Sequence, residues 1–133
     1  KNQRLRNEMN ALPRRIPMHV EGFTTDVPRL MRLSDAFIGK PGPGSISEAV
    51  ALGLPVIVES NLWTLPQERY NARWVEEQGV GIALSSFRGQ VVEAARRMID
   101  PVQRADFTVR VQKLNNRSVF EIPDILDRIM NRH

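Results

Sequence analysis

The chain has no cysteine, and histidine occurs only at His19 and His133. Disulfide and thiol chemistry are therefore excluded, a His-rich metal site is excluded with them, and a reducing, cytoplasmic setting fits. No Asp-x-Asp triplet offers a carboxylate metal site. Aromatic residues make up only 6% and are not interleaved with basic ones, so no nucleic-acid partner is expected. No apolar run approaches the ~18 residues needed to span a bilayer, and no secretory leader is visible. Lysine is also scarce. The net charge of +4 rests mainly on arginine, whose planar fork of donors suits phosphate. Arg4, Arg6, Arg14 and Arg15 cluster near the start. They mark either a solvated surface or a face drawn to an anionic membrane.

What is present is ordinary for a globular chain. The 133 residues, 41% of them hydrophobic and 26% charged, make one domain or part of one, long enough to bury a core. Leu5, Met9 and Leu12 are spaced for a helix over 2–12, which Pro13 stops. Met18–Phe23 is expected as a strand. Asp26 is an expected N-cap, with Pro28 in the first turn of a helix that turns Val27, Leu30 and Met31 inward. Ala36–Gly39 is the second strand. The helix that follows it ends at Gly53. Pro55–Val58 is the third strand, and its unbroken apolar run predicts burial on both faces. Thr64 and Gln67 have capping-box spacing ahead of a helix that ends at Gly79. Gly81–Leu84 is the fourth strand. Ser85 or Ser86 then caps a helix striped by Phe87, Val91, Ala95 and Met98. Pro101 opens another stretch, with Phe107, Val111 and Leu114. The tail places Ile122, Ile125, Leu126, Ile129 and Met130 on one helical face. Strand and helix alternate four times. The fold class is therefore α/β, a doubly wound Rossmann-like parallel sheet, in which ligands bind beyond the carboxyl ends of the strands.

The chain is organised around Lys40–Glu48. Gly42 and Gly44 carry no Cβ and let backbone approach a ligand. The helix start that follows offers free N–H groups and a positive dipole end to a phosphate. Pro41-Gly42-Pro43-Gly44 is nevertheless neither a Walker loop nor a dinucleotide fingerprint, and turn geometry alone is the rival reading. Ser45 and Glu48 have the spacing of a capping box; against that, a carboxylate here would accept two hydroxyl bonds from a ribose. Gln67 and Glu68 either decorate a helix start or bond sugar hydroxyls. Phe23 is a stacking residue or a core one, and Trp63 a ligand wall or a packing residue. His19 is expected to be structural. No nucleophilic triad or acid/base carboxylate couple stands out.

Six motifs in order carry a resemblance: Glu21-Gly22-Phe23; Asp35-Ala36-Phe37-Ile38; Lys40-x-Gly42-Pro43-Gly44-Ser45-Ile46-x-Glu48-Ala49; Gly53-Leu54-Pro55-Val56-Ile57; Gln67-Glu68-x-x-Asn71-Ala72; and Gly79-x-Gly81. Over about residues 2–100 the chain resembles the C-terminal, donor-binding domain of GT-B glycosyltransferases of the MurG and monogalactosyldiacylglycerol synthase group. The Gly-Pro-Gly-Ser form is similar to monogalactosyldiacylglycerol synthases and processive diacylglycerol glucosyltransferases more than to MurG. The resemblance implies that Glu48 holds the ribose of UDP, that Gln67 and Glu68 meet the sugar, and that Gly42, Pro43, Gly44 and Ser45 meet the diphosphate. Phe23 and Thr24 would border the uracil. It also implies an inverting transfer with UDP-sugar as substrate and neither cofactor nor bound metal.

That group has an acceptor-binding N-terminal domain, a glycine-rich loop and two strands ahead of the segment resembling Lys1–Leu12. Residues 1–133 are therefore expected to be a donor-binding domain truncated at its N-terminal side and inactive alone. The whole enzyme would pass a hexose to a lipid such as diacylglycerol, peripherally at a cytoplasmic membrane. The alternatives are a non-catalytic donor-binding subunit of a split glycosyltransferase, and a UDP-sugar epimerase of related fold. The Glu59–Pro66 loop, with Trp63, departs from the group's pattern.

Overall fold

The architecture is that of a computed structural model, which describes residues 2–13, 15–114 and 118–131. Arg14 of the expected basic cluster and His133 lie outside the described residues. The elements are helices α1 (Gln3–Ala11) and α2 (Val27–Arg32), strand β1 (Phe37–Gly39), helix α3 (Pro43–Ala51), strand β2 (Val56–Glu59), helix α4 (Pro66–Gln78), strand β3 (Gly81–Leu84), and helices α5 (Phe87–Ile99), α6 (Pro101–Lys113) and α7 (Ser118–Met130). The strands form one parallel sheet in the order β1-β2-β3. This is the expected α/β fold of parallel strands flanked by helices.

The central strand explains the two-sided packing. Val56, Ile57 and Val58 are at most 1% exposed, and successive side chains on a strand face opposite ways. Val56 and Val58 join a core with Ile46, Ala49 and Val50 of α3, Ala72 and Val75 of α4, and Val111 of α6. Ile57 joins the other core with Leu84, Ala94 and Met98. The buried stripe of α5 thus runs through Ala94 and Met98, with Val91 partly covered. Phe87, expected in that stripe, is exposed. Gly53 and Gly79 end their helices as expected, both at positive φ, 81° and 63°, where a Cβ is strained.

Other expectations change as well. Of the inward face expected for α2 only Met31 is buried, and Val27 and Leu30 are exposed. Met18–Phe23 is not a strand: it forms no ladder among the described residues, and three strands, not four, make the sheet. Its burial does alternate residue by residue, and the His19 and Glu21 side chains meet at 2.9 Å, as neighbours two apart do on extended chain. The period-two signal was real, but a strand also needs a hydrogen-bonding partner. Asp26 is an N-cap by position only. Its side chain caps nothing and sits 3.5 Å from Arg29, while its N–H bonds Thr24 Oγ1. Thr64 does not cap α4, because its hydroxyl accepts the Asn61 N–H instead and the N-cap position falls to Leu65. Ser86 is the N-cap residue of α5, but its side chain makes no cap bond; Gln90 reaches back to the Ser86 N–H, and Glu59 accepts the Phe87 N–H at 2.8 Å.

Two helices form without burying their apolar stripes. α1 is held by Asn2 capping the Leu5 N–H and by an exposed Arg4–Glu8 pair, and has no buried residue. Along α7, Ile122, Ile125, Leu126, Ile129 and Met130 are each at least half exposed. The pattern predicted the helix correctly, but nothing among the described residues covers that face.

Gly81 is the tightest point of the sheet. It pairs with Val56, and a Cβ there would collide with the Val56 carbonyl oxygen. Backbone cannot swing aside as a flexible side chain can, so Gly81→Ala is expected to destabilise the fold by about 2 kcal/mol or more. A lower midpoint in urea or thermal melts checks this.

Candidate functional site

Parallel pairing brings the carboxyl ends of the three strands, Gly39, Glu59 and Leu84, to one edge of the sheet. The loops leaving these ends surround an open cleft of about 570 Å³. Lys40 and Pro41 line it after β1, Glu59 lines it at the end of β2, and Trp63, Leu65 and Glu68 line it from the next loop and the start of α4.

The glycine-proline turn leads from β1 straight into α3. Gly42 is the N-cap, with φ −69° and ψ 133°, and Pro43 is the first helical residue. The helix therefore starts ahead of Ser45, and no side chain caps it. The Ser45–Glu48 capping box does not form. The N–H groups of Gly44 and Ser45 have no partner among the described residues, as the first turn of an uncapped helix must leave them. Glu48, exposed on the second turn, makes no side-chain bond among the described residues.

Neither glycine of this turn is required by the protein itself. A Cβ at Gly42 or Gly44 would meet nothing within 4 Å, and the backbone at Gly42 is one that any residue adopts. Inside a helix, glycine at 44 costs about 1 kcal/mol relative to alanine. The turn is tied down from the other side by Asn71, one turn beyond Gln67 on α4, whose Nδ2 donates to the Pro41 carbonyl at 2.9 Å.

Of the residues expected at a binding site, Glu68 lines the cleft. Gly42, Pro43, Gly44 and Ser45 follow Pro41 directly in the chain, and Gln67 is exposed beside Glu68. Phe23 and Thr24 are not part of this cleft. Phe23, 80% exposed and so no core residue, borders a separate hollow beside Asn2, Arg6 and Met9 of the first helix. Thr24 accepts the Asp26 N–H. Trp63 is 93% exposed and is not a packing residue. Glu59, Asn61 and Phe87 also line the cleft. Glu59 and Asn61 belong to the loop that leaves the third expected strand, where ligands of such sheets bind; Phe87, expected in a buried stripe, is the residue that sequence reasoning missed. Glu21, next to the outer hollow, has its carboxyl pulled below the usual value by the His19 hydrogen bond and then by the Gly22 N–H.

A family model for the glycosyltransferase family 28 C-terminal domain matches residues 1–118. The chain belongs to this family. The relatives of this family 28 domain include several monogalactosyldiacylglycerol synthases. It is 37% identical over 86 residues to the monogalactosyldiacylglycerol synthase of Spinacia oleracea, chloroplastic, covering 65% of this chain and 16% of that protein. Monogalactosyldiacylglycerol synthase 1 of Arabidopsis thaliana, chloroplastic, is 38% identical over 81 residues, 61% of this chain and 15% of that protein. Probable monogalactosyldiacylglycerol synthase 3 of Oryza sativa subsp. japonica, chloroplastic, is 36% identical over 96 residues, 72% and 18%. The aligned part of the chain thus spans less than a fifth of each of these relatives. Among the described residues of this family 28 domain, no helix is long and apolar enough to cross a membrane.

Asn71 links the two halves of the site across 30 residues of sequence. Asn71→Leu leaves the part-buried Pro41 carbonyl without its donor, at a cost of about 1 kcal/mol. Chemical denaturation should show that loss, with far-UV circular dichroism of the folded protein unchanged.

Proposed function

We propose that this family 28 domain is the UDP-sugar-binding part of an inverting glycosyltransferase that passes a hexose to a lipid hydroxyl, such as that of diacylglycerol. In this reading residues 1–133 are a partial donor domain, and the acceptor site and general base belong to a separate N-terminal domain. The chain alone is inactive, and the whole enzyme works peripherally at a cytoplasmic membrane face, its arginines drawn to anionic lipid. Family membership and the galactolipid-synthase relatives support transfer over epimerisation.

The observation that carries the donor site is the uncapped start of α3 beside the cleft. The Gly44 and Ser45 N–H groups and the dipole meet the diphosphate, and the missing Cβ atoms let it come close. Glu48, which no cap consumes, accepts the ribose hydroxyls. Gln67 and Glu68 bond the hexose. The general base of the N-terminal domain takes the acceptor hydroxyl's proton as its oxygen attacks the anomeric carbon from the face opposite UDP, the bond to UDP breaks, and the charge that develops on the diphosphate falls on the same N–H groups. No resident metal or other cofactor enters this account; UDP-sugar is the substrate. A non-catalytic subunit of a split enzyme would carry the same donor site.

Titration calorimetry of the intact chain with UDP, UDP-galactose, UDP-glucose and UDP-N-acetylglucosamine tests this. Glu48→Ala is expected to weaken UDP binding about ten-fold or more, the scale of a hydrogen bond to a charged group. Its melting temperature should stay put, because Glu48 caps nothing. If the folded chain binds no uridine nucleotide, the proposal fails.

A further inference from the structure

The loop between β2 and α4 is unusually well fixed for one that buries so little. Asn61 Oδ1 accepts the Trp63 N–H at 2.9 Å, Thr64 Oγ1 accepts the Asn61 N–H at 2.9 Å, and the Thr64 N–H returns to the Asn61 carbonyl at 3.1 Å. Arg69, in the first turns of α4, closes the structure from below. Its Nη2 donates to the Leu62 carbonyl at 2.8 Å and its Nε to the Thr64 carbonyl at 3.1 Å. The guanidinium thus grips the chain on both sides of Trp63, and no acidic side chain competes for it among the described residues.

The residue so held is almost wholly in water. Trp63 is 93% exposed, whereas Trp74, the other tryptophan, packs against the core. The rigid backbone therefore serves no interior packing of Trp63. The side chain lines the strand-end cleft, with Glu68 in the same lining.

We propose that Trp63 is a preformed stacking wall for the hexose ring of the donor, and that Arg69 is the positioning residue that fixes it. This rests on the donor-binding reading above. A pyranose offers an apolar face of C–H groups to an aromatic ring, while its hydroxyls, at the ring's edge, are bonded by a neighbouring carboxylate. Trp63 and Glu68 supply that pair of surfaces. A wall ordered before the ligand arrives also loses less freedom on binding.

The test measures UDP against UDP-hexose on the intact chain. UDP-galactose and UDP-glucose are titrated beside UDP, by calorimetry and by tryptophan fluorescence. Trp63→Ala is expected to weaken the better-bound of the two UDP-hexoses on the order of ten-fold, as loss of a ring stack does. UDP affinity should be unchanged, and the hexose-dependent change in emission should vanish. Arg69→Met keeps the side-chain stem but removes the fork. It should reproduce the selective loss of UDP-hexose affinity with UDP affinity unchanged, whereas a merely structural role would lower both affinities together. Equal losses for UDP and UDP-hexose, or no loss for either, overturn this inference while the donor site stands. Failure of the intact chain to bind any uridine nucleotide overturns the donor reading and this inference with it.

Discussion

Everything at the candidate site depends on β2 being paired on both edges and buried on both faces. Its ladders to β1 and β3 are parallel, so all three strands deliver their carboxyl ends to the same edge. Its side chains divide the helices into two layers, with Val56 and Val58 gathering α3, α4 and α6 and Ile57 gathering α5. Because those layers are set by alternation along one strand, the uncapped start of α3 and the first turn of α4 are brought to one edge, beside the strand ends.

The site is then made of loops that the scaffold holds at few points. Asn71 holds the glycine-proline turn through Pro41, and Arg69 holds the Trp63 loop through two carbonyls. Both come from α4, which is itself anchored by Ala72 and Val75 in the core. One helix face therefore packs and the adjoining positions organise the cleft. Glu59 plays a comparable part at the end of β2, spending one carboxylate oxygen on the start of α5. Gly42 and Gly44 stand apart from these supports. No protein atom lies where their Cβ atoms would be, and in an account of the fold alone they are a small cost without a return.

Much of this was legible in the sequence because the signals were local or periodic. The apolar run at Val56–Val58, the stops at Gly53 and Gly79 and the proline-led helix starts all depend on neighbours in the chain. What failed were details that depend on where another group happens to be. Thr64 has capping-box spacing but serves Asn61, and Ser45–Glu48 has it too but the helix begins earlier, at Pro43. Met18–Phe23 was expected as a strand; it is extended chain that joins no ladder among the described residues, because a strand is a relation between two segments. For the same reason the stripe along α7 forecast a helix and not a buried face. The family resemblance pointed to the turn before α3 and the start of α4, and Glu68 of that start lines the cleft. Asn71's bond to Pro41 and Glu59's bond to the Phe87 N–H could not be read from the sequence, since each joins residues far apart in it.

The central claim is that the start of α3 receives the diphosphate of a uridine nucleotide. Amide NMR of the intact chain during titration with UDP, and separately with uridine, tests it most directly. The account predicts that UDP shifts the Gly44 and Ser45 amides strongly and that uridine, which lacks the diphosphate, does not. It is contradicted if UDP leaves both amides in place, or perturbs instead the hollow around Gly79 and Arg110 at the opposite end of the strands.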